Sequence, residues 1–381
     1  MRYAFVSTMH SGTWGGSEEL WSQAARKLKR EGHEVFASVL TWVRELDRIT
    51  ELDREGVQVE THPPNQVGRV RRVREKLFYG GPKAYAGLKQ FKPDLVIISQ
   101  GGNSGGFDWA RICREAAIPY VIIVHCNCEL WWFGKQVDEA SASYAAAQRV
   151  FCVSQSNLDL LRIQVGEPLL NAEVVWSPYN VSPERLPAWP DENAGWRMAC
   201  VARMEPAAKG QDLLLKALAR LEWRNRPIEL SFYGVGPDEK VLCRLAGTLQ
   251  LSNVHFRGHV SDVGVIWEQN HLLVLPSRYE GLPLTLIEAM WCGRPAVVTD
   301  VGGNAELCVD GETGFVAEAP TVSAFSNAME RAWERRKDWP KIGKAARAIA
   351  EGLVPKDPVA LFCERLKNCA IGELRQIQHR T

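Results

Sequence analysis

Short hydrophobic runs alternate along the chain with longer stretches whose apolar residues recur every three or four positions. Tyr3–Ser7 reads as a buried strand, and the loop to Gly16 is rich in small residues. Ser17–Gly32 then has helical spacing at Leu20, Ala24 and Leu28, and Glu34–Leu40 predicts the next strand. Further strands fall at Val57–Glu60, Asp94–Ser99, Tyr120–Val124, Val150–Val153 and Glu173–Trp176, with helical stretches between most of them. A β–loop–α–β opening followed by this alternation predicts a doubly wound α/β sheet.

Residues 179–195 break the pattern. Pro183, Pro187 and Pro190 stand there with little periodicity, as in a linker between domains. A second series follows, with strands at Met198–Val201, Ile228–Tyr233, Val254–Arg257, Leu272–Leu275 and Ala296–Val298. Its helices fall at Gln211–Trp223, Asp238–Leu249, Val263–Gln269 and Leu284–Trp291. The end is helical over Val322–Arg336, Lys341–Glu351 and Pro358 to about Gln378. Two Rossmann-like domains are therefore expected, over 1–178 and 196–356, and 381 residues suffice for two cores.

Composition narrows the class without choosing a function. Hydrophobic residues at 46% and charged residues at 24% suit a soluble globular protein. A net charge of +1 argues against a nucleic-acid binder driven by bulk charge. The ten cysteines are scattered, and only Cys126 and Cys128 stand close, so neither a zinc site nor a disulfide framework is expected. A reducing cytoplasm is the simplest home. The N-terminus enters a strand at once, and no window reaches the length of a transmembrane helix. The run Arg69–Lys76 carries five cations and one acid. A solvated face is its simpler reading; the other is contact with an anionic acceptor or with the cytoplasmic face of a membrane.

The most informative stretch is Pro276–Gly293. An apolar strand ends at Pro276, a short loop carries Glu280 and Gly281, and Pro283 stands where a helix begins. The helix that follows is mostly apolar, and Gly293 ends it. Backbone N–H groups and a positive dipole end thus lie beside two carboxylates, Glu280 and Glu288. Either glutamate alone reads as an ordinary solvated acid. The whole run, however, resembles the E-x7-E signature of retaining GT-B glycosyltransferases of family 4.

Other segments carry the same resemblance. Arg203 and Lys209 share the loop after the first strand of the second series, ahead of Leu213–Ala217, and match the family's R-x(n)-K-G motif. An Arg fork and a Lys point charge on one loop can clamp a diphosphate. Gly15 and Gly16 match the family's G-G loop, and glycines there allow close backbone approach to a ligand. His125 closes the strand Tyr120–Val124 and resembles the family's active-site histidine. Cys126 stands where the family has an acidic residue, which leaves the acceptor side open. Gly302–Glu306 and Asp310–Gly314 fit the family's tail motifs. Gly258, His259 and Val260 occupy the place where relatives hold the nucleotide base. Gly234-Val235-Gly236 lacks a third glycine at Glu239, which disfavours a nicotinamide cofactor.

The resemblance implies a GT-B fold, two facing Rossmann-like domains, with the last helix (357–381) crossing back to the first domain. It implies hexosyl transfer from a UDP-, GDP- or ADP-linked sugar to a glycan, lipid-linked or small-molecule acceptor, without bound metal or other cofactor. Arg203 and Lys209 would neutralise the leaving diphosphate, and His125 would line the sugar. Glu280, with backbone at Gly281 and Leu282, would hold sugar hydroxyls. The amides of Leu284 and Thr285 would meet the phosphate, and Glu288 the ribose. The leaving phosphate would serve as base, with no protein nucleophile. Two rival readings stay open: a nucleotide-sugar 2-epimerase, and a non-catalytic protein that keeps the donor pocket.

Overall fold

Strands buried on both faces of a parallel sheet read as near-continuous apolar runs, and this chain builds two such sheets. The computed structural model describes residues 1–9, 14–40, 46–62, 81–193 and 195–378. The chain divides into two compact units, Met1–Pro178 with Asp357–Thr381, and Tyr179–Lys356.

The first unit holds β1 (Arg2–Ser7), β2 (Glu34–Leu40), β3 (Gln58–His62), β4 (Leu95–Gln100), β5 (Tyr120–Val124), β6 (Arg149–Cys152) and β7 (Ala172–Val174). They pair in the order β3-β2-β1-β4-β5-β6-β7, all parallel. The strand period of two divides β1 between two cores: Ala4 and Val6 join one, Tyr3 and Phe5 the other. The helix Gly16–Arg30 covers the second face with Leu20, Trp21, Ala24 and Leu28. The last helix, Pro358–Gln378, shares that face through Phe362, Cys363 and Leu366, and its Lys367 pairs with Glu31 at 2.5 Å.

The second unit holds β8 (Trp196–Val201), β9 (Ile228–Tyr233), β10 (Val254–Phe256), β11 (Leu272–Leu275), β12 (Ala296–Thr299) and β13 (Gly314–Ala317). Their order is β10-β9-β8-β11-β12-β13, again all parallel. Strand order reverses between β8 and β11, where the register sets Met198 against Leu272. Ligands of open α/β sheets bind outside the carboxyl ends of the strands at such a switch point. The loops leaving β8 and β11 there carry Arg203, Lys209 and Glu280.

The structure departs from the sequence reading in several places. Residues 179–195, expected as a linker, lie in the second unit. Arg294 donates to the Ala188 carbonyl at 2.6 Å and stacks over Trp189, and Arg347 donates to Pro183 O at 2.7 Å. The helix expected over Gln211–Trp223 stops at Leu218 and restarts as Leu221–Arg224, because Arg220 is extended. The turn Asp310–Gly314 precedes β13 and so lies at the amino end of a parallel strand, away from the carboxyl-end loops. Its contacts are structural: Asp310 accepts from Arg331 at 2.8 Å, and Gly311 O from Arg335 at 2.5 Å.

Candidate functional site

The loop after β8 folds into a four-residue helix, Pro206–Lys209, that ends on Gly210 in the left-handed region. Gly210 has φ +64°, and a Cβ there would stand 1.9 Å from the Pro276 carbonyl oxygen, so only glycine lets the β8 and β11 loops touch. Arg203 pairs with Glu205, and its carbonyl accepts from the buried Gln211 at 2.7 Å. Lys209 reaches across to Glu280, donating to Oε1 at 2.6 Å and Oε2 at 2.8 Å. The Ser277 hydroxyl adds a third bond to Oε1 at 2.7 Å. Glu280 is 5% exposed. A carboxylate buried to that depth is stable as an anion only with such partners.

Beyond Glu280 the chain passes through Gly281 and Leu282 to Pro283, which caps the helix Leu284–Trp291 in an extended conformation. Gly302, with φ +52°, sits where a Cβ would come within 2.3 Å of Glu280 O, and Gly303 N donates to Gly281 O at 2.7 Å. The loop after β12 thereby buttresses the Glu280 loop from behind. At the helix start, Leu284 and Thr285 have no intrahelical carbonyl for their N–H groups. The Thr285 hydroxyl is buried there without a hydrogen-bond partner among the described residues. A buried hydroxyl left without a partner costs about 1–3 kcal/mol, which either a water or a ligand atom at that spot would relieve.

Glu288 lies one turn further on the same helix and is 3% exposed. Its Oε1 accepts from Asn180 N at 2.9 Å and Asn180 Nδ2 at 3.0 Å. On the other side of the β8 loop, Gly234 N donates to Gly258 O at 2.7 Å, drawing the loops after β9 and β10 together. His259 is exposed and Val260 half-buried in that loop. Apart from Glu288, inside the helix Leu284–Trp291, the residues expected to touch the donor in the second unit stand on loops or a helix start after β8, β10 and β11.

The first unit gathers its own group at the ends of β1, β4 and β5. His125 is 7% exposed; its Nε2 shares a hydrogen bond with Ser99 Oγ at 3.1 Å. Burial pushes its pKa down to about 3, so the imidazole is neutral at physiological pH. It suits hydrogen bonding to a neutral group such as a sugar hydroxyl, and not service as a cationic clamp. Gly15 is extended at the N-cap of the helix Gly16–Arg30, and Glu18 in its first turn accepts from Ser7 Oγ at 2.6 Å and from Trp21 Nε1 at 3.0 Å.

Several participants carry no motif in the sequence. Arg278 grips Asp212 with both guanidinium nitrogens, at 2.7 and 3.0 Å, and ties the β11 loop to the β8 loop. Burial alone would raise the Asp212 carboxyl, but the bonds from Arg278 and Lys216 outweigh it and hold the group below its ordinary range. Asn180 and Ser277 are equally silent in sequence. The basic run 69–76 lies outside the described residues. The described cysteines form no disulfide.

Comparison with known proteins identifies the family. The family profile of the glycosyl transferases group 1 matches residues 189–349, and that of Glycosyltransferase Family 4 matches residues 14–182. The chain belongs to this glycosyltransferase family. Among relatives of this family member, the D-rhamnosyltransferase WbpZ of Pseudomonas aeruginosa is 31% identical over 170 residues, covering 43% of each chain. A GDP-mannose-dependent phosphatidylinositol monomannoside mannosyltransferase of Mycolicibacterium smegmatis is 30% identical over 172 residues, 40% of this chain and 45% of its own. The chain thus spans less than half the length of these curated relatives. Solved structures show the fold over nearly its whole length. HepE of Anabaena in complex with UDP superposes with a TM-score of 0.75 at 20% identity, covering 97% of this chain and all of its own. The sucrose-phosphate synthase of Thermosynechococcus elongatus does so at 0.74 and 18%, covering 100% of both chains. The architecture is the two-domain α/β fold of GT-B glycosyltransferases.

Proposed function

We propose that this protein is a retaining glycosyltransferase that moves a hexosyl group from a nucleoside-diphosphate sugar to an acceptor hydroxyl. The observation that carries the reading is the Lys209–Glu280 pair at the switch point of the second sheet, beside the orphan hydroxyl of Thr285. A cation, a buried sugar-binding carboxylate and an anion-binding helix start within one loop cluster suit a charged diphosphate joined to a polyhydroxylated ring. The activities named for the relatives and the UDP held by HepE support the same donor class.

In this reading the diphosphate lies against the amides of Leu284 and Thr285, with Arg203 and Lys209 countering its charge. Glu280, with the backbone at Gly281 and Leu282, holds the sugar hydroxyls. Glu288 takes the ribose, and the loop at Gly258, His259 and Val260 lies along the base. His125 and the Gly15-Gly16 loop stand at the carboxyl ends of strands in the first unit, where ligands of such sheets bind. The acceptor oxygen bonds to the anomeric carbon on the face from which the diphosphate departs. The carbon–oxygen bond to the diphosphate breaks, and the acceptor's proton passes to the leaving phosphate oxygen, so no protein nucleophile or metal takes part. Losing Arg203 or Lys209 then costs on the order of 10²-fold in turnover, as for other electrostatic stabilisers. The acceptor is a glycan, a lipid-linked sugar or a small molecule. The free thiols fit a reducing cytoplasm.

A thermal-shift screen of UDP-, GDP- and ADP-sugars tests the reading, since a bound donor raises the melting temperature according to its affinity. One nucleotide series is expected to stabilise the protein, and proton NMR of the product of an α-linked donor should show an α linkage. A β product would overturn retention, and no shift with any series would overturn the donor class.

A further inference from the structure

The β8 and β11 loops meet through more than the Lys209–Glu280 pair. Arg278 lies two residues before Glu280, and its hydrogen bonds run to the segment around Lys209. Its backbone N–H donates to Ala208 O at 2.7 Å, and Nη1 donates to Pro206 O at 2.5 Å. The guanidinium fork closes on Asp212 Oδ1 at 2.7 Å and Oδ2 at 3.0 Å. Three points on one short segment, 206, 208 and 212, are thus fixed to one residue, and they bracket Lys209. Gly210 against the Pro276 carbonyl makes the approach possible but supplies no attractive contact. A bidentate Arg–carboxylate pair fixes orientation as well as distance, which a lysine in the same place cannot do.

We infer that Arg278 is a positioning residue: its fork on Asp212 holds Lys209 in register with Glu280, so that the cation meets the leaving diphosphate while the carboxylate meets the sugar. Arg278 acts through Lys209 and does not touch the donor. The loop leaving β8 contains its own turn and Gly210, so without Arg278 the Pro206–Lys209 turn persists but shifts against β11. A displacement of about 1 Å in a charge-stabilising group costs up to about 10²-fold in rate. The proposal rests on the glycosyltransferase reading for its catalytic consequence and on geometry alone for the positioning.

Two measurements on the full chain separate those parts. The first is trace labelling with acetic anhydride, reading acetylation of Lys209 by peptide mass spectrometry against the other lysines. Lys209 holds two bonds to Glu280 and is expected to label slowly in the wild type. In R278A its relative labelling is expected to rise about five-fold or more, because a lysine freed from its partner is the reactive one. R278K and D212N, which disturb packing less, should give the same direction. Unchanged Lys209 labelling in folded variants overturns the proposal. The second measurement is release of nucleoside diphosphate from UDP-glucose, GDP-mannose and ADP-glucose, with water taking the acceptor's place and the free sugar as co-product. R278K should lower kcat about 10- to 100-fold with KM within about 3-fold, and R278K combined with K209A should be no slower than K209A alone. Effects that multiply, or a change in KM alone, overturn positioning through Lys209. If the wild type turns over no nucleotide sugar, the functional reading fails while the labelling result still decides the role of Arg278.

Discussion

Lys209 and Glu280 share two hydrogen bonds but not the same surroundings, and that asymmetry yields a prediction about stability. The Glu280 side chain is 6% exposed and that of Lys209 22%. Removing the lysine as K209M keeps the volume but leaves a buried carboxylate without its counter-ion. Breaking a fully buried pair costs about 3–5 kcal/mol, and the partial exposure of Lys209 brings the expected loss to about 2–3 kcal/mol. E280Q leaves a lysine that can turn its ammonium to water, so its cost is about 1 kcal/mol. The double variant K209M/E280Q has no stranded charge and should be more stable than the sum predicts, by about 1–2 kcal/mol. Urea unfolding curves of the four proteins at pH 7 supply all three numbers, with equal m-values as the condition for comparing midpoints. If E280Q proves costlier than K209M, or the double variant equals the sum, the carboxylate is not the buried member and the account of the pair fails.

His125 has a depressed pKa, so the folded state binds fewer protons than the unfolded chain between the ordinary histidine value and about 3. Stability from this group therefore falls as pH drops through that window, by about 2 kcal/mol between pH 7 and pH 5. H125Q should lose that much less than the wild type over the same interval in urea titrations, and parallel losses would contradict the buried neutral imidazole. T285V removes an orphan hydroxyl, so stability should hold or rise by up to about 1 kcal/mol, while the thermal shift produced by UDP or GDP should shrink. A drop in stability above about 1 kcal/mol would show that the hydroxyl has a structural partner. G210A forces a left-handed alanine against the Pro276 carbonyl and should cost more than about 2 kcal/mol. G15A meets nothing within 4 Å of its Cβ among the described residues and has an extended backbone, so it should cost under about 1 kcal/mol; comparable melting temperatures for the two would refute the close approach.

What the sequence conveys about the fold follows from local chemistry. Tyr120–Val124, Ile228–Tyr233 and Leu272–Leu275 carry strands over the predicted spans, because parallel strands buried on both faces are largely apolar. Pro283 and Gly293 bracket the helix Leu284–Trp291 for equally local reasons. β13 escapes notice: it is four residues long and begins at Gly314, inside a run that reads as a turn. At the site, Glu280, Glu288, Arg203 and Lys209 stand out through the family resemblance of the segments that carry them. Arg278 and Asp212 do not, since their partnership spans 66 residues and depends on how two loops meet. Asn180 is hidden more deeply, in a proline-rich stretch that looks like a linker, 108 residues from the glutamate it holds.

The central claim is that the loops at the β8–β11 switch point bind the diphosphate of a nucleotide sugar. Isothermal titration of UDP, GDP and ADP into the wild type and R203A tests it most directly. One nucleotide should bind the wild type with Kd below about 100 μM, and R203A should weaken it about ten-fold or more, the 1.4 kcal/mol or above expected of a lost charge-assisted contact. Equal affinity in the two proteins, or no binding by any of the three nucleotides, would contradict the account.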